Sequence, residues 1–330
     1  MPFAIRALRT DEVDTWVAHC TEVFKHDSSA YFVSHLQDDS SALEDMNNIL
    51  VADEDGTIAA TVRVIPRSQF IGGRVVSMGG IAEVSTKEKF RGKGLASKLL
   101  RAAIDGPLAS VDVSALHTDA DRLGGFYGKL GYTPMPLRSV SIPVNLPLPP
   151  LSPQLHIAPL TDLAIHTSAL LRLYHTVSSK FNGPIQRTQA YICQWIAARH
   201  RRDHIQAVGA WNAQGQLVGY VFGRTKLQTN DNTILVDELI VPNSLPESHA
   251  VAVHLLAALA ATRGPCAFVV SNLPVPVANE LGFLPTAIPQ DVVISEDRGF
   301  MVQRHGLALD LWQNLAKTGT NNVFWKSDGF

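Results

Sequence analysis

Only three cysteines occur in 330 residues, Cys20, Cys193 and Cys266, far apart and odd in number. They make neither a disulfide framework nor a sequence-local metal cluster, so a reducing, cytoplasmic setting is expected. Neither sign of charge is in excess: 28 basic residues stand against 30 acidic ones. A nucleic-acid binder would carry a basic surplus, and no such partner is expected. Long apolar runs are missing too. The longest, "AVAVHLLAALAAT" (250–262), is too short for a bilayer and holds His254. The N-terminal "MPFAIRALRTDEVDTW" lacks the charged-then-apolar pattern of a signal peptide. No membrane association is expected. Three chemical motifs are absent as well. G-x-x-x-x-G-K-[ST] does not occur, nor does the G-x-S-x-G of esterases. His200 and His204 are spaced i, i+4, but the glutamate of H-E-x-x-H is missing, and no metal is expected.

What is present is a globular composition, 46% hydrophobic and 18% charged, in a chain long enough for two ordinary domains. From Thr10 to Phe24, helical spacing puts Val13, Trp16, Val17, Cys20 and Phe24 on one face. Strands follow, turned at Asp55-Gly56 and Gly72-Gly73. A helix is read from about Gly94 to Ile104, then a strand in "SVDVSALHT", a helix in "DRLGGFYGKLG" and a closing strand in "RSVSIPVNL". The proline-rich "NLPLPPLSPQLHIAPL" ends this unit.

The second half repeats the order: a helix over about Asp162–Ser179, the helix "RTQAYICQWIAARH", strands around "NAQGQ", the strand "TILVDELIVP", a long apolar helix, the strand "CAFVVSN" and "VANELGFLPT". "NELGFLP" (279–285) echoes "GKLGYTP" (128–134), so one architecture is used twice. The expected division is 1–148, 149–304 and a tail, 305–330.

Chemistry concentrates in "KFRGKGLASKLL" (89–100), a basic, glycine-broken loop entering a helix. Backbone N–H groups at a helix start lack internal partners and, with the helix dipole, favour phosphate. Gly92 and Gly94 permit close approach, Arg91 and Lys93 add charge, and Ser97 adds a hydroxyl. A dinucleotide fingerprint fails here, with Ser97 at its third glycine and several strands preceding it. The second half has "PNSLPESHAVAV" at the matching place, with two prolines and no Arg-Gly pair.

"IAEVSTKEKFRGKGLASKLL" resembles the acetyl-CoA-binding motif of the GNAT superfamily of N-acetyltransferases, a strand, R/Q-x-x-G-x-G/A and a helix. Downstream, "GGFYGKLGYTP" resembles that family's aromatic-Tyr pair and Gly-aromatic turn. The resemblance covers 1–145 well and the rest as architecture only. The tandem arrangement is similar to fungal lysine N6-acetyltransferase-like proteins and to Eis-like acetyltransferases, without a third, sterol-carrier-like domain. It implies an α/β chain of layered α+β type: two GNAT-like domains, each a mixed, mostly antiparallel sheet flanked by helices, the second degenerate.

The resemblance also implies roles. Val84 and Thr86 would offer backbone groups to the pantetheine arm, the Val84 N–H polarising the thioester carbonyl. Arg91, Gly92, Lys93, Gly94, Leu95 and Ala96 would hold the pyrophosphate. Tyr127 would protonate the departing thiolate; otherwise it is a packing tyrosine. An alkylammonium of reference pKa about 10.4 must lose a proton before attack, and Glu83, an acid in an apolar strand, is the candidate base. The alternative is a solvent-facing or paired strand residue. His117, Asp119 and Asp121 line the acceptor pocket or cap the next helix; His26, Asp27 and Tyr31 fall where the family builds specificity. The Phe330 carboxylate would reach the active site, anchored by Phe324 and Trp325. The activity implied is acetyl-CoA-dependent transfer to a primary amine: lysine or another small cationic metabolite, on account of the acidic stretches at 26–45 and 118–122. A protein or peptide lysine acceptor and a non-catalytic acyl-CoA-binding module are the alternatives.

Overall fold

Two glycine-bearing turns set the first sheet. Asp55 and Gly56 have φ of 50° and 80°, Gly72 and Gly73 of 58° and 75°, the left-handed pairs of tight hairpin turns. They join β2 (Ile49–Glu54), β3 (Thr57–Ile71) and β4 (Arg74–Thr86), behind β1 (Ala4–Ala7). The computed structural model describes residues 3–39, 42–145, 147–225, 233–260, 268–284, 292–316 and 321–329. The other strands are β5 (Val113–His117), β6 (Thr133–Pro134), β7 (Leu137–Val144), β8 (His156–Pro159), β9 (Gln206–Trp211), β10 (Leu217–Thr225), β11 (Thr233–Ile240), β12 (Phe268–Pro274), β13 (Val293–Asp297) and β14 (Phe300–Arg304). The helices are α1 (Val13–Phe24), α2 (Ala30–Asp38), α3 (Leu95–Asp105), α4 (Ala120–Gly128), α5 (Thr167–Ser178), α6 (Gln189–Tyr191), α7 (Ala197–Arg202), α8 (Ser248–Ala260), α9 (Val275–Glu280) and α10 (Leu309–Ala316), with a π turn, Ile192–Ile196, between α6 and α7.

Residues 58–65 of β3 are all buried, because the sheet is covered on both faces. Leu95, Leu99, Leu100 and Ala103 of α3 pack on Val62 and Val64. Trp16, Val17 and Cys20 of α1, with Phe32 and Leu36 of α2, pack on Ile49, Val51 and Ile58. Phe24, placed by the helical spacing on the same face, is 44% exposed. In the second half the apolar α8 and α5 share one core with β9 to β12. The helix expected from Asp162 begins only at Thr167.

Both sheets have seven strands among the described residues, in the orders β1-β2-β3-β4-β5-β14-β6 and β13-β7-β12-β11-β10-β9-β8. The orders match strand for strand, with one reciprocal exchange. β7, expected to close the first sheet, lies in the second between β12 and β13. β14, from the far end of the chain, takes its place between β5 and β6. The sheets therefore do not part at residue 148 or at 304. Gly299 tightens this crossing: a Cβ there would lie 2.1 Å from the Thr118 carbonyl oxygen. The end of β3 also pairs across the halves, Phe70 N–H donating to Pro184 O and Gly183 N–H to Phe70 O.

The tail is held by both halves, α10 by the first sheet and residues 321–329 mainly by the second half. α10 packs Leu311 against the Gly72 turn, and Trp325 is buried in the second core. Arg187 donates to Asp328 Oδ1 at 2.8 Å and to both carboxylate oxygens of Glu238, while Tyr174 OH donates to Asp328 at 2.7 Å. Among the described residues no helix is long and apolar enough to cross a membrane.

Candidate active site

The site begins where two parallel strands part. β4 and β5 pair only at Met78–Val113, Gly79–Ser114 and Gly80–Ala115, yet β4 runs on to Thr86 and β5 to His117. The β4 edge beyond Gly80 therefore has no partner on β5. On its other side the register with β3 slips between Thr61 and Arg63, a bulge that places Glu83 at φ 46°. Such a backbone is costly for a non-glycine residue and persists only where its surroundings hold it. α1 supplies part of that hold: His19 Nε2 lies 3.0 Å from Ser85 Oγ, and the Trp16 indole donates to Thr61 Oγ1 at 2.8 Å. Burial lowers the His19 pKa to about 4, so this contact is made by a neutral imidazole.

A cavity of about 320 Å³ lies in the gap. It brings together six of the residues singled out from sequence: Glu83, Val84, Tyr127, His26, Tyr31 and His117. Phe32, Thr118 and Arg122, not singled out, line it too. The Glu83 side chain is only 6% exposed; one oxygen is 3.7 Å from Arg63 Nη1 and the other is buried without a hydrogen-bond partner. Desolvation pushes its carboxyl above the ordinary range, against the pull of Arg63 and with help from Asp39. Arg63 is itself fixed by Asp39 at 3.2 Å, which also receives Arg67 at 2.8 Å. Arg63 was the missed signal: a lone arginine in "ATVRVI" has to be paired if that strand is buried.

Tyr127 is 7% exposed, packed on Phe126 and Tyr132, and burial pushes its phenol up to about 12. Its hydroxyl makes no hydrogen bond among the described residues, whereas that of Tyr132 is taken by Ser114 at 2.8 Å. His117 Nε2 lies 2.8 Å from Asp297 Oδ2, and this bond raises the imidazole pKa against its desolvation. Asp297 ends β13, so sequence order offered no hint of this partner. His26 stacks on Tyr31 at 4.5 Å, Tyr31 meets His35 at 4.1 Å, and His35 stacks on Trp195 of the π turn at 5.4 Å.

Other candidates lie elsewhere. Asp119 caps α4, accepting the Arg122 N–H at 3.1 Å, and Asp121 is exposed in that helix's first turn. Asp27 is exposed and lines no cavity described here. Thr86 receives the Arg91 guanidinium on its carbonyl at 3.3 Å. Phe330 lies outside the described residues; its neighbour Gly329 borders a second cavity, which His117 also lines.

The glycine loop has the features of an anion site. Gly92 and Gly94 have φ of 76° and 72°, and a Cβ on either would meet nothing within 4 Å. Conformation, not crowding, is what demands glycine there. Gly94 is the N-cap of α3, no side chain caps that end, and no acid stands in its first turn. The N–H groups of Leu95, Ala96 and Ser97 are thus left for a ligand. Arg91 and Lys93 are exposed beside them, Lys93 Nζ resting 5.0 Å from the Phe3 ring centre. These residues fit a pyrophosphate.

Residues 4–135 match the acetyltransferase (GNAT) domain family. The chain carries a GNAT acetyltransferase domain. GCN5-related N-acetyltransferases from Anabaena variabilis and Kribbella flavida superpose with TM-scores of 0.68 and 0.65 at 18% and 17% identity. The alignments cover 91% and 92% of this chain and 72% of each of those. Eis1 from Mycobacterium abscessus gives 0.65 at 14% identity, over 92% of this chain and 74% of that one. At such identities the likeness shows the fold. No curated protein matches the chain by sequence. The GNAT domain agrees with the acetyltransferase class read from the two motifs.

The second half has the same parting of strands without the loop. Among the described residues β11 pairs with β12 only over Thr233–Leu235, and β10 and β11 slip register at Phe222. There Glu238 is bound by Arg187, Tyr220 and Ser327, so the chain's own tail seals the position. Near α8, the linker is pinned instead: Ser152 N–H donates to Glu247, and His254 Nε2 lies 2.8 Å from Pro149 O.

Proposed function

We propose that the first half transfers an acetyl group from acetyl-CoA directly to a primary amine, lysine or a related small molecule, and that the second half is a scaffold. The observation that carries this reading is the single cavity holding Glu83, Tyr127 and the unpaired edge of β4, on the same strand that leads to the uncapped start of α3. The pyrophosphate binds the α3 N–H groups with Arg91 and Lys93. The pantetheine extends along β4, toward Val84.

The amine enters as an ammonium. Glu83, desolvated and therefore a stronger base than an exposed carboxylate, takes its proton, directly or through one water. The free amine attacks the thioester carbon while the Val84 N–H steadies the developing oxyanion. As the tetrahedral intermediate collapses, the C–S bond breaks and the electron pair leaves on sulfur. Tyr127 remains protonated across the working pH range, because burial raises it, and donates to that thiolate. The Asp297 carboxylate favours the charged form of His117, which fits acceptor positioning better than base catalysis.

The test is thiol release from acetyl-CoA with lysine, polyamines, aminoglycosides and a histone-tail peptide, for the wild type and Tyr127→Phe. Turnover on one amine class is expected, with kcat lowered at least about ten-fold in the variant and acetyl-CoA affinity kept. Acetyl-CoA binding without turnover on any amine, and no effect of the variant, would leave a binding module.

A further inference from the structure

His117 has two sides. One faces the cavity of Glu83 and Tyr127; the other lines a larger cavity, about 510 Å³, in the crevice between the two sheets. This second space exists because of the strand exchange. Arg138 comes from β7, Glu296 and Asp297 from β13, Arg224 from β10, and Lys326 from the tail.

Its charges do not cancel. Arg138, Arg199, Arg224 and Lys326 line it against only Glu296 and Asp297. Both acids are committed: Glu296 accepts from Arg298 at 2.7 Å, and Asp297 holds His117 and the Gly299 N–H. The bases are less fully used. Arg224 spends one nitrogen on Asp237 at 2.9 Å, but its Nε is buried without a partner. Arg199 is turned to the carbonyls of Lys326 and Ser327. Arg138, half-buried, makes no hydrogen bond or ion pair among the described residues. A half-buried guanidinium with no partner among the described residues, sharing a cavity with another that has an orphaned N–H, is an arrangement that binds a carboxylate.

We propose that this crevice holds the anionic end of the acceptor, so the acceptor class is an amine bearing a carboxylate several bonds away: an amino acid, and not a polyamine. The proposal rests on the transferase reading. With its nitrogen beside Glu83, such a molecule is to extend past His117, which lines both cavities, toward Arg138 and Lys326. The acidic stretches at 26–45 and 118–122 favour lysine or another small cationic amine on sequence grounds, without deciding between acceptors with and without a carboxylate. Of these stretches only His26, Tyr31, Phe32, Thr118 and Arg122 reach the first cavity, and none of the five is an acid.

Two matched pairs test it, lysine against cadaverine and ornithine against putrescine, in each of which the members differ only by the carboxylate. Thiol release is followed for the wild type, Arg138→Gln and the exposed Lys326→Gln. The acid-bearing member is expected to show kcat/KM at least about ten-fold higher, as loss of one charged hydrogen bond would imply. Arg138→Gln should remove most of that preference through KM, while changing the amine without the acid less than about two-fold. Unchanged acetyl-CoA affinity in both variants shows that they are folded. Equal or lower kcat/KM for the acid-bearing members, or equal losses for both members in the variants, overturns the proposal. Calorimetric binding of the same four amines in the presence of coenzyme A separates the two readings. An acid preference in binding, lost in Arg138→Gln, without any thiol release would support the crevice and sink the transferase. Absence of any preference in binding would sink the crevice.

Discussion

Glu83 carries opposing demands at one residue. The proposed reaction wants an ionised carboxylate of raised pKa, whereas folding bears a desolvation cost for burying it beside an Arg63 only 3.7 Å away. The sign follows from linkage. A carboxyl whose folded pKa lies above its unfolded value binds its proton more tightly in the native state. Its stabilising contribution is complete below the unfolded value, ordinarily 4.5 here, and is lost as pH rises through the folded one. Glu83→Gln is therefore expected to melt at a higher temperature than wild type at pH 7. The gain should shrink toward nothing as the pH is taken below the ordinary carboxyl value. The same variant should lose about 10²- to 10⁴-fold in kcat and the acid limb of its pH–rate profile. A variant that keeps that limb would show another group to be the base.

Among the elements, the start of α3 and the bulge in β4 decide what the domain can hold. The loop can be separated from mere turn chemistry by a pair of substitutions. Gly94 (φ 72°) and Gly56 (φ 80°) both have open space where a Cβ would go, so alanine should cost each about 1–2 kcal/mol of left-handed strain. Only Gly94→Ala should also weaken acetyl-CoA, because only there do the N–H groups of a helix start depend on the turn. Thermal melts and titration with acetyl-CoA check both. Equal acetyl-CoA affinity in the two variants would move the pyrophosphate away from this loop.

For the whole molecule, the exchange of β7 and β14 makes the halves interdependent. A chain ending at 148 would leave β5 and β6 without the strand that pairs with both. It would also expose Phe300's and Val302's packing partners, among them Val113 and Ala115. Such a fragment should show no cooperative unfolding transition, and co-expression with 149–330 should restore one. A fragment 1–148 that melts cooperatively and binds acetyl-CoA by itself would refute this interdependence. The reciprocal pattern is also what creates the crevice beside His117. Strands of both halves wall it, and the tail, fixed through Arg187 and Asp328, supplies Lys326.

The local code of this protein was legible in its residues. Asp55-Gly56 and Gly72-Gly73 fixed the turns, because few residues besides glycine, asparagine and aspartate adopt φ of 50–80°. Gly92, Gly94 and the apolar face of 95–103 fixed a bare helix start, and an acid inside an apolar strand marked Glu83. These signals lie within a few residues of their effects. The short strands β13 and β14 and the helix α2 are not among the elements that the sequence pattern marks. Partnerships across long stretches of chain were also out of reach. Asp297 meets His117 across 180 positions, and β7 sits in the sheet opposite to the one its place in the sequence suggests. An alternating apolar strand satisfies its hydrogen bonds equally well at either sheet's gap. Which gap it fills depends on the packing of both halves together, so the loop and strand motifs belong to the sequence, while the crevice beside His117 belongs to the tertiary structure alone.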